Sequence, residues 1–329
     1  MVLGYIAPDG YFGGKMPLNA AKAAEAIRTK IAGPLGVSVD EAAALIRRVV
    51  EQNMASAIKR EVHLRGYHPE DFALFAFGGG GPTHVAGYRA DVPTAVIFPQ
   101  APVFSALGSS VMDIMQIYEQ SGRMQYMTPM TEQIVIDREA FNARVRELID
   151  RAQRDLQAEG LADRQVEYSV ELDMLYGGLV QVKRVSSPVI TIDSDDDARL
   201  VYEEFEKEFA EAFSPYVVNK PGGVYLDAIV LKATVKTEKL QLPTFALQGT
   251  DPSGAHSAKR PAYWPELGER RDTHVYLFDG LKPGNQVEGP AIIEMEYSTI
   301  VVPPGQRLRI NEHGLGILED ARPATGTEG

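Results

Sequence analysis

The chain has 329 residues, enough for two or three domains with cores of their own, and its 44% hydrophobic and 24% charged residues are those of an ordinary globular protein. A formal net charge of −12 argues against nucleic acid or an anionic membrane surface as partner. Without a cysteine there is no disulfide, no thiolate nucleophile and no cysteine-based metal site, and with no apolar leader or bilayer-length apolar run the expectation is a soluble cytoplasmic protein.

After Tyr11-Phe-Gly-Gly14, a first helix is expected from near Asn19 to Ala32, stopping at Gly33-Pro34. A second begins at Ser38, where Glu41 three residues on completes a capping box. Ala42, Leu45, Ile46, Val49, Val50, Met54, Ala57 and Ile58 form its apolar stripe, and Glu51, Asn53, Lys59, Arg60 and Glu61 its polar side, read as mostly solvated. A strand from Phe72, a helix from Pro82 to Ala90, a strand from Thr94 to Phe98 and a helix from Val103 to Met115 then alternate, the grammar of an α/β layer.

Past Gln116 the pattern changes. A strand around Gln125, a charged helix from Asp137 to Glu159, strands at Val166 to Leu175 and Leu179 to Val185, and a helix from Asp195 that ends before Pro215 are followed by a strand from Val224 to Thr237. A loop rich in Pro, Gly and Ser spans Gln248 to Pro265, and strands follow at Thr273 to Phe278, Ala291 to Val302 and Gln306 to Ile310. These segments predict three domains: an α/β lobe over 1–116, an α+β domain over 117–245 and a β-rich domain over 246–329, with a disordered tail from Ala321.

Most of the functional information lies in Phe72-Ala-Leu-Phe-Ala-Phe-Gly-Gly-Gly-Gly-Pro-Thr-His84. Six apolar residues read as a strand buried on both faces, the glycines allow a tight turn and close approach of a ligand, and Pro82 suits the first turn of a helix whose free N–H groups would face that ligand. Adenosine or a phosphate would fit; a ligand-free strand-to-helix turn is the alternative. The run is not a phosphate-binding loop of the Gly-Lys-Ser/Thr kind, because no such Lys follows, and no acidic residue near Ala95 to Gln100 supports a dinucleotide fold.

Together with Pro102-Val-Phe-Ser-Ala-Leu-Gly108, this segment resembles the hydantoinase A/5-oxoprolinase family, which also includes subunits of ATP-dependent acetone and acetophenone carboxylases. Met1-Val-Leu-Gly-Tyr5, Tyr11-Phe-Gly-Gly14, Asn53 to Ile58, Val287 to Glu294 and Ser298 to Gly305 look like further family blocks in the expected order. The resemblance implies part of an actin-like (ribonuclease H-like) ATPase fold, with Gly78, Gly79, Gly80, Gly81, Pro82, Thr83 and His84 as the nucleotide-binding residues on the adenosine side. It implies ATP and Mg2+ as cofactors, but the Asp-x-Gly-Gly-Thr hairpin and second Gly-Gly-Thr loop that hold phosphates and magnesium in that fold do not occur here. Since phosphoryl transfer depends on neutralising charge at the transferred group, another subunit carrying the N-terminal phosphate-binding half is expected. The functional expectation is a subunit of a ketone carboxylase acting on a small ketone and bicarbonate. The alternatives are a subunit of an ATP-dependent hydrolase of cyclic amides, or a non-catalytic scaffold.

No catalytic residue is assigned. His84 is read as a ligand contact or a brace for the loop, and the other five histidines lack the spacing that puts two on one helix face, so no metal site is expected from this chain alone. Asp173 and Tyr176, in a block that departs from the family pattern at Leu175 and Leu179, are read as pinning a hairpin. Asp193 to Asp197 lacks the alternation and terminal Glu of a calcium loop and reads as a helix cap.

Overall fold

The computed structural model describes residues 1–89 and 91–321; of the tail expected to be disordered from Ala321, residues 322–329 lie outside them, as does Ala90. The chain divides into two compact units, Met1–Ser110 with the segment from Leu240 on, and Val111–Lys239. Met1–Ser110 and the segment from Leu240 on form one unit, where the sequence reading expected separate domains over 1–116 and 246–329. Strand periodicity reports which face is apolar, whereas the choice of pairing partner depends on contacts more than 200 positions apart.

In the first unit, β1 (Ala73–Ala76) and β2 (Thr94–Ile97) pair in parallel, and β2 then pairs antiparallel with β13 (Gly316–Asp320), placing Ala95 opposite Leu318. With β12 (Gln306–Ile310) and β9 (Gln286–Glu288) they make a five-stranded sheet of order β1-β2-β13-β12-β9. Buried Arg89 ties this junction by donating to the carbonyls of Val92 and Pro93 and pairing with Asp320. The second sheet, of order β11-β10-β8-β7, comprises β7 (His256–Trp264), β8 (Glu269–Leu277), β10 (Ala291–Met295) and β11 (Ser298–Val302). Ala76, Val85, Ile97, Ile293, Val302 and Leu308 share one core, so both ends of the chain bury the same apolar surface.

Several expected elements change. The stretch read as one strand from Ala291 to Val302 is an antiparallel hairpin turning at Glu296-Tyr297, and β7 occupies a stretch read as loop. Pro261 made β7 illegible; it is accommodated because β7 is the edge strand of its sheet. The first helix, α1 (Ala20–Ile27), capped by Asn19, runs on through a π turn at Arg28–Ala32 into α2 (Gly33–Leu35), so Pro34 starts a helical turn and Gly36, at φ +67°, ends it. The second helix, α3 (Val39–His63), has the expected capping box. Its orientation differs from expectation: Ala42, Ala43, Ala44, Ala55 and Glu51 are buried, while Ile46, Val49, Val50 and Met54 are exposed. The helix from Val103 is short, a 3-10 turn and then α5 (Phe104–Ser110).

The second unit is a four-stranded antiparallel sheet, β3 (Ile114–Met127), β6 (Val224–Val235), β4 (Val166–Tyr176) and β5 (Lys183–Ser186), in the order β3-β6-β4-β5. Residues 114 and 115, read as the end of a helix, begin β3 because pairing with β6 along the whole strand overrides local helix propensity. Helices α6 (Arg138–Ala158) and α7 (Asp195–Phe213) cover the sheet, burying Phe141, Phe205 and Phe209 with Tyr126 and Tyr176. The acidic run is a helix cap: Ser194 and Asp197 form a capping box on α7. Asp173 receives two hydrogen bonds from Arg184 at 2.8 and 2.7 Å, locking β4 to β5.

Candidate functional site

The glycine run leads from β1 into α4 (Gly81–Tyr88). Gly78 makes the turn, with φ +78° and its N–H donating to the Ala101 carbonyl at 2.6 Å. Gly80 has ordinary dihedrals of −99° and −17°, and a Cβ there would meet nothing within 4 Å. The protein itself therefore makes no steric demand for glycine at position 80.

Two side chains from the far end of the chain fix this loop. Ser298 Oγ donates to the Gly79 carbonyl at 2.9 Å, and Thr83 Oγ1 donates to the Thr299 carbonyl at 2.8 Å. The hairpin of β10 and β11 thus forms a wall beside the loop. Opposite Tyr297, at its turn, stands Tyr11-Phe-Gly-Gly14: Phe12, at φ +55°, packs its ring 5.1 Å from that of Tyr297, and Lys15 lies 5.9 Å from the same ring.

These pieces enclose a cavity of about 1090 Å³ lined among others by Gly79, Thr83, Phe12, Pro102, Tyr297 and Arg260. Its carboxylates are Asp9, Asp279, Glu294 and Glu296. Arg260 is committed elsewhere, donating to Glu294 at 2.6 Å and to the carbonyls of Gly4 and Tyr5 at 2.8 and 2.7 Å, so it tethers the first residues to β7 and β10. A cavity with several carboxylates and its one lining arginine already paired suits hydroxyl and amino donors and repels a polyphosphate.

Of the seven residues singled out in sequence, Gly79 and Thr83 line this cavity, and Gly78, Gly80, Gly81 and Pro82 shape the turn beside it. His84 borders a second, apolar cavity of about 240 Å³ with Arg47, Tyr5 and Leu3. Its Nδ1 lies 3.1 Å from Glu51 Oε1, which also accepts from Arg47 Nε at 2.5 Å. Glu51, read as part of a solvated face, is buried against α4, where Gly87 leaves just enough room: a Cβ at 87 would sit on its carboxylate. The Arg47 guanidinium stacks 4.8 Å from the Tyr5 ring, whose hydroxyl donates to the Tyr263 carbonyl at 2.6 Å; burial pushes the Tyr5 phenol well above its usual pKa. The residues that sequence reasoning missed are Ser298, Thr299, Tyr297 and Arg260. Their blocks were recognisable, but nothing in the sequence joined them to the glycine loop. Among the described residues no group of three or more His, Asp or Glu is arranged to hold a metal ion.

A mixed α/β fold with this glycine turn is shared by a known family. The hydantoinase/oxoprolinase model matches residues 1–118 and the hydantoinase/oxoprolinase C-terminal domain model residues 130–321, so the chain belongs to the hydantoinase/oxoprolinase family. Over 328 residues it is 60% identical to the acetophenone carboxylase gamma subunit of Aromatoleum aromaticum, a match covering 100% of this chain and 45% of that protein. Among solved structures, nucleotide-free acetone carboxylase superposes with a TM-score of 0.76 at 26% identity, over 97% of this chain and 45% of that one. The ATP-dependent caprolactamase of Pseudomonas jessenii superposes with a TM-score of 0.78 at 28% identity, over 97% and 46%. The chain therefore spans about half the length of the relatives it matches.

Proposed function

We propose that the chain is a subunit of an ATP-dependent, multi-subunit ketone carboxylase of the acetophenone or acetone type and contributes the adenosine side of its nucleotide site. The observation that carries this reading is the 60% identity to an acetophenone carboxylase subunit along the whole chain. Twice the identity to the structurally similar caprolactamase, it favours ketone carboxylation over cyclic-amide hydrolysis, the second reading.

The cavity supports the nucleoside half of this assignment. Open space at Gly80 and the carboxylates that line the same cavity as Gly79 fit an adenosine with its hydroxyl and amino donors. Among the described residues around the cavity, Arg260 is paired with Glu294 and Lys15 lies over Tyr297, so neither is free for a triphosphate. A partner chain with the Asp-x-Gly-Gly-Thr hairpin would hold the triphosphate and Mg2+. ATP, when bound, would supply phosphorylation of an otherwise unreactive substrate oxygen. This chain's residues would orient the nucleoside: the Thr83–Thr299 and Ser298–Gly79 bonds keep the loop in one conformation, and Phe12 with Tyr297 forms an apolar wall.

The test is to isolate the assembly from its own cells, identify its chains by mass spectrometry and assay it. The reading expects a second chain with the phosphate hairpin and ATP- and bicarbonate-dependent carboxylation of acetophenone or acetone. ATP-dependent opening of a lactam or hydantoin without carboxylation would support the second reading.

A further inference from the structure

We propose that the small apolar cavity beside His84 holds the ketone in the carboxylase reaction proposed above, with His84 Nε2 as the base that takes a proton from the carbon next to the carbonyl group. The inference rests on that reading of the function and locates its organic substrate and a catalytic residue.

The first observation is the position of the cavity. Its volume is about 240 Å³, below the roughly 300–1,000 Å³ of pockets that hold drug-sized ligands. Leu3, Ile6, Ile27 and Ala43 make its walls apolar, which suits a small uncharged molecule with a hydrocarbon end. Ile6 and Thr83 line both this cavity and the larger one assigned to the nucleoside, so the two share a wall. A molecule held here is separated from the nucleotide cavity by those side chains alone.

The second observation is the row of polar groups at its edge. Glu51 is buried, and Gly87 leaves the room that its carboxylate fills. It accepts from Arg47 Nε and from His84 Nδ1, and both of these side chains line the cavity. A carboxylate beside Nδ1 fixes the ring proton there, so Nε2, which has no hydrogen-bond partner among the described residues, is the acceptor. Arg47 spends Nε on the same carboxylate and keeps its terminal N–H groups for a carbonyl oxygen. Apolar residues in place of such a buried charged row are often no less stable, so its presence beside an apolar cavity points to chemistry.

The step balances within this site. The bond from the α-carbon to hydrogen breaks, its electron pair forms the carbon–carbon double bond of an enolate, and the carbonyl π pair moves onto oxygen. The proton stays on Nε2, where Glu51 stabilises the imidazolium, and the Arg47 guanidinium can donate to the negative oxygen. That oxygen is the nucleophile that phosphorylation by ATP requires. Glu51 acts through the other two and is a positioning residue.

The assembly isolated from its source cells is compared with assemblies carrying His84→Ala, Glu51→Gln or Ile27→Trp in this chain. Exchange of the methyl deuterons of deuterated acetophenone with water is followed by NMR, beside carboxylation. His84→Ala is expected to slow both by about a hundredfold or more, with KM for ATP unchanged and part of both rates restored by added imidazole. Glu51→Gln is expected to lower kcat about tenfold with KM for the ketone unchanged. Ile27→Trp fills the cavity and is expected to raise KM for acetophenone about tenfold without changing KM for ATP. Exchange at the parent rate in His84→Ala, or a loss that imidazole does not relieve, overturns the role of His84. An unmoved KM for acetophenone in Ile27→Trp overturns the site. In both cases carboxylation by the parent assembly leaves the carboxylase-subunit reading standing, whereas a parent assembly that carboxylates no ketone overturns both.

Discussion

Thr83 Oγ1 donates to the carbonyl of Thr299 at 2.8 Å across 216 positions of sequence, and both side chains are buried. This bond joins the start of α4 to β11 and so fixes the glycine loop to the wall of the cavity. Thr83→Val keeps the shape and deletes the donor, leaving the acceptor short of a partner at a buried site. The expected loss is about 1–3 kcal/mol of unfolding free energy, with Thr83→Ser close to the parent, as read from urea midpoints.

Glycines 78 and 80 separate folding from binding. Gly78→Ala places a Cβ at φ +78° and is expected to cost about 1–2 kcal/mol of stability. Gly80→Ala meets open space and is expected to leave the melting temperature unchanged. If adenosine packs on the loop, Gly80→Ala lowers the affinity of the intact assembly for ATP by tenfold or more in equilibrium dialysis. Unchanged affinity would refute the adenosine assignment.

Gly87 tests the packing of α3 on α4. Alanine there collides with the Glu51 carboxylate, which must then leave Arg47 and His84. The expected cost is about 1–3 kcal/mol, in the range of overpacked cores. Pairing it with Glu51→Ala should recover part of the loss, so a double-mutant cycle with no coupling would contradict this geometry.

His274 gives the pH dependence. It stands exposed on β8 opposite Lys259, with its ring 5.0 Å from that of His256, and partial desolvation, then the charges of Lys259 and His256, hold its pKa below the ordinary 6.5. As pH falls through 6.5 the unfolded chain takes up this proton first, so this contribution to stability is full above 6.5, declines below it and levels off under the folded pKa. Urea midpoints at pH 7.5, 6.5 and 5.5 should fall less steeply for His274→Gln than for the parent.

Local chemistry was legible in the sequence because it depends on neighbours in the chain. Asn19 and Ser38 cap their helices as their spacing required, Ser194 caps α7, and the turn after Phe77 is where the glycines put it. The spaced blocks also identified the family. Long-range geometry was not legible: β13 lies beside β2, Ser298 and Thr299 hold the glycine loop, and Glu51 turns inward while Val49 and Val50 face out. Periodicity marks a stripe or a face and is silent on which distant segment covers it. That choice was made only when two stretches some 130 residues apart in the chain closed on one apolar core, with Thr83 and Arg260 supplying the polar ties between them.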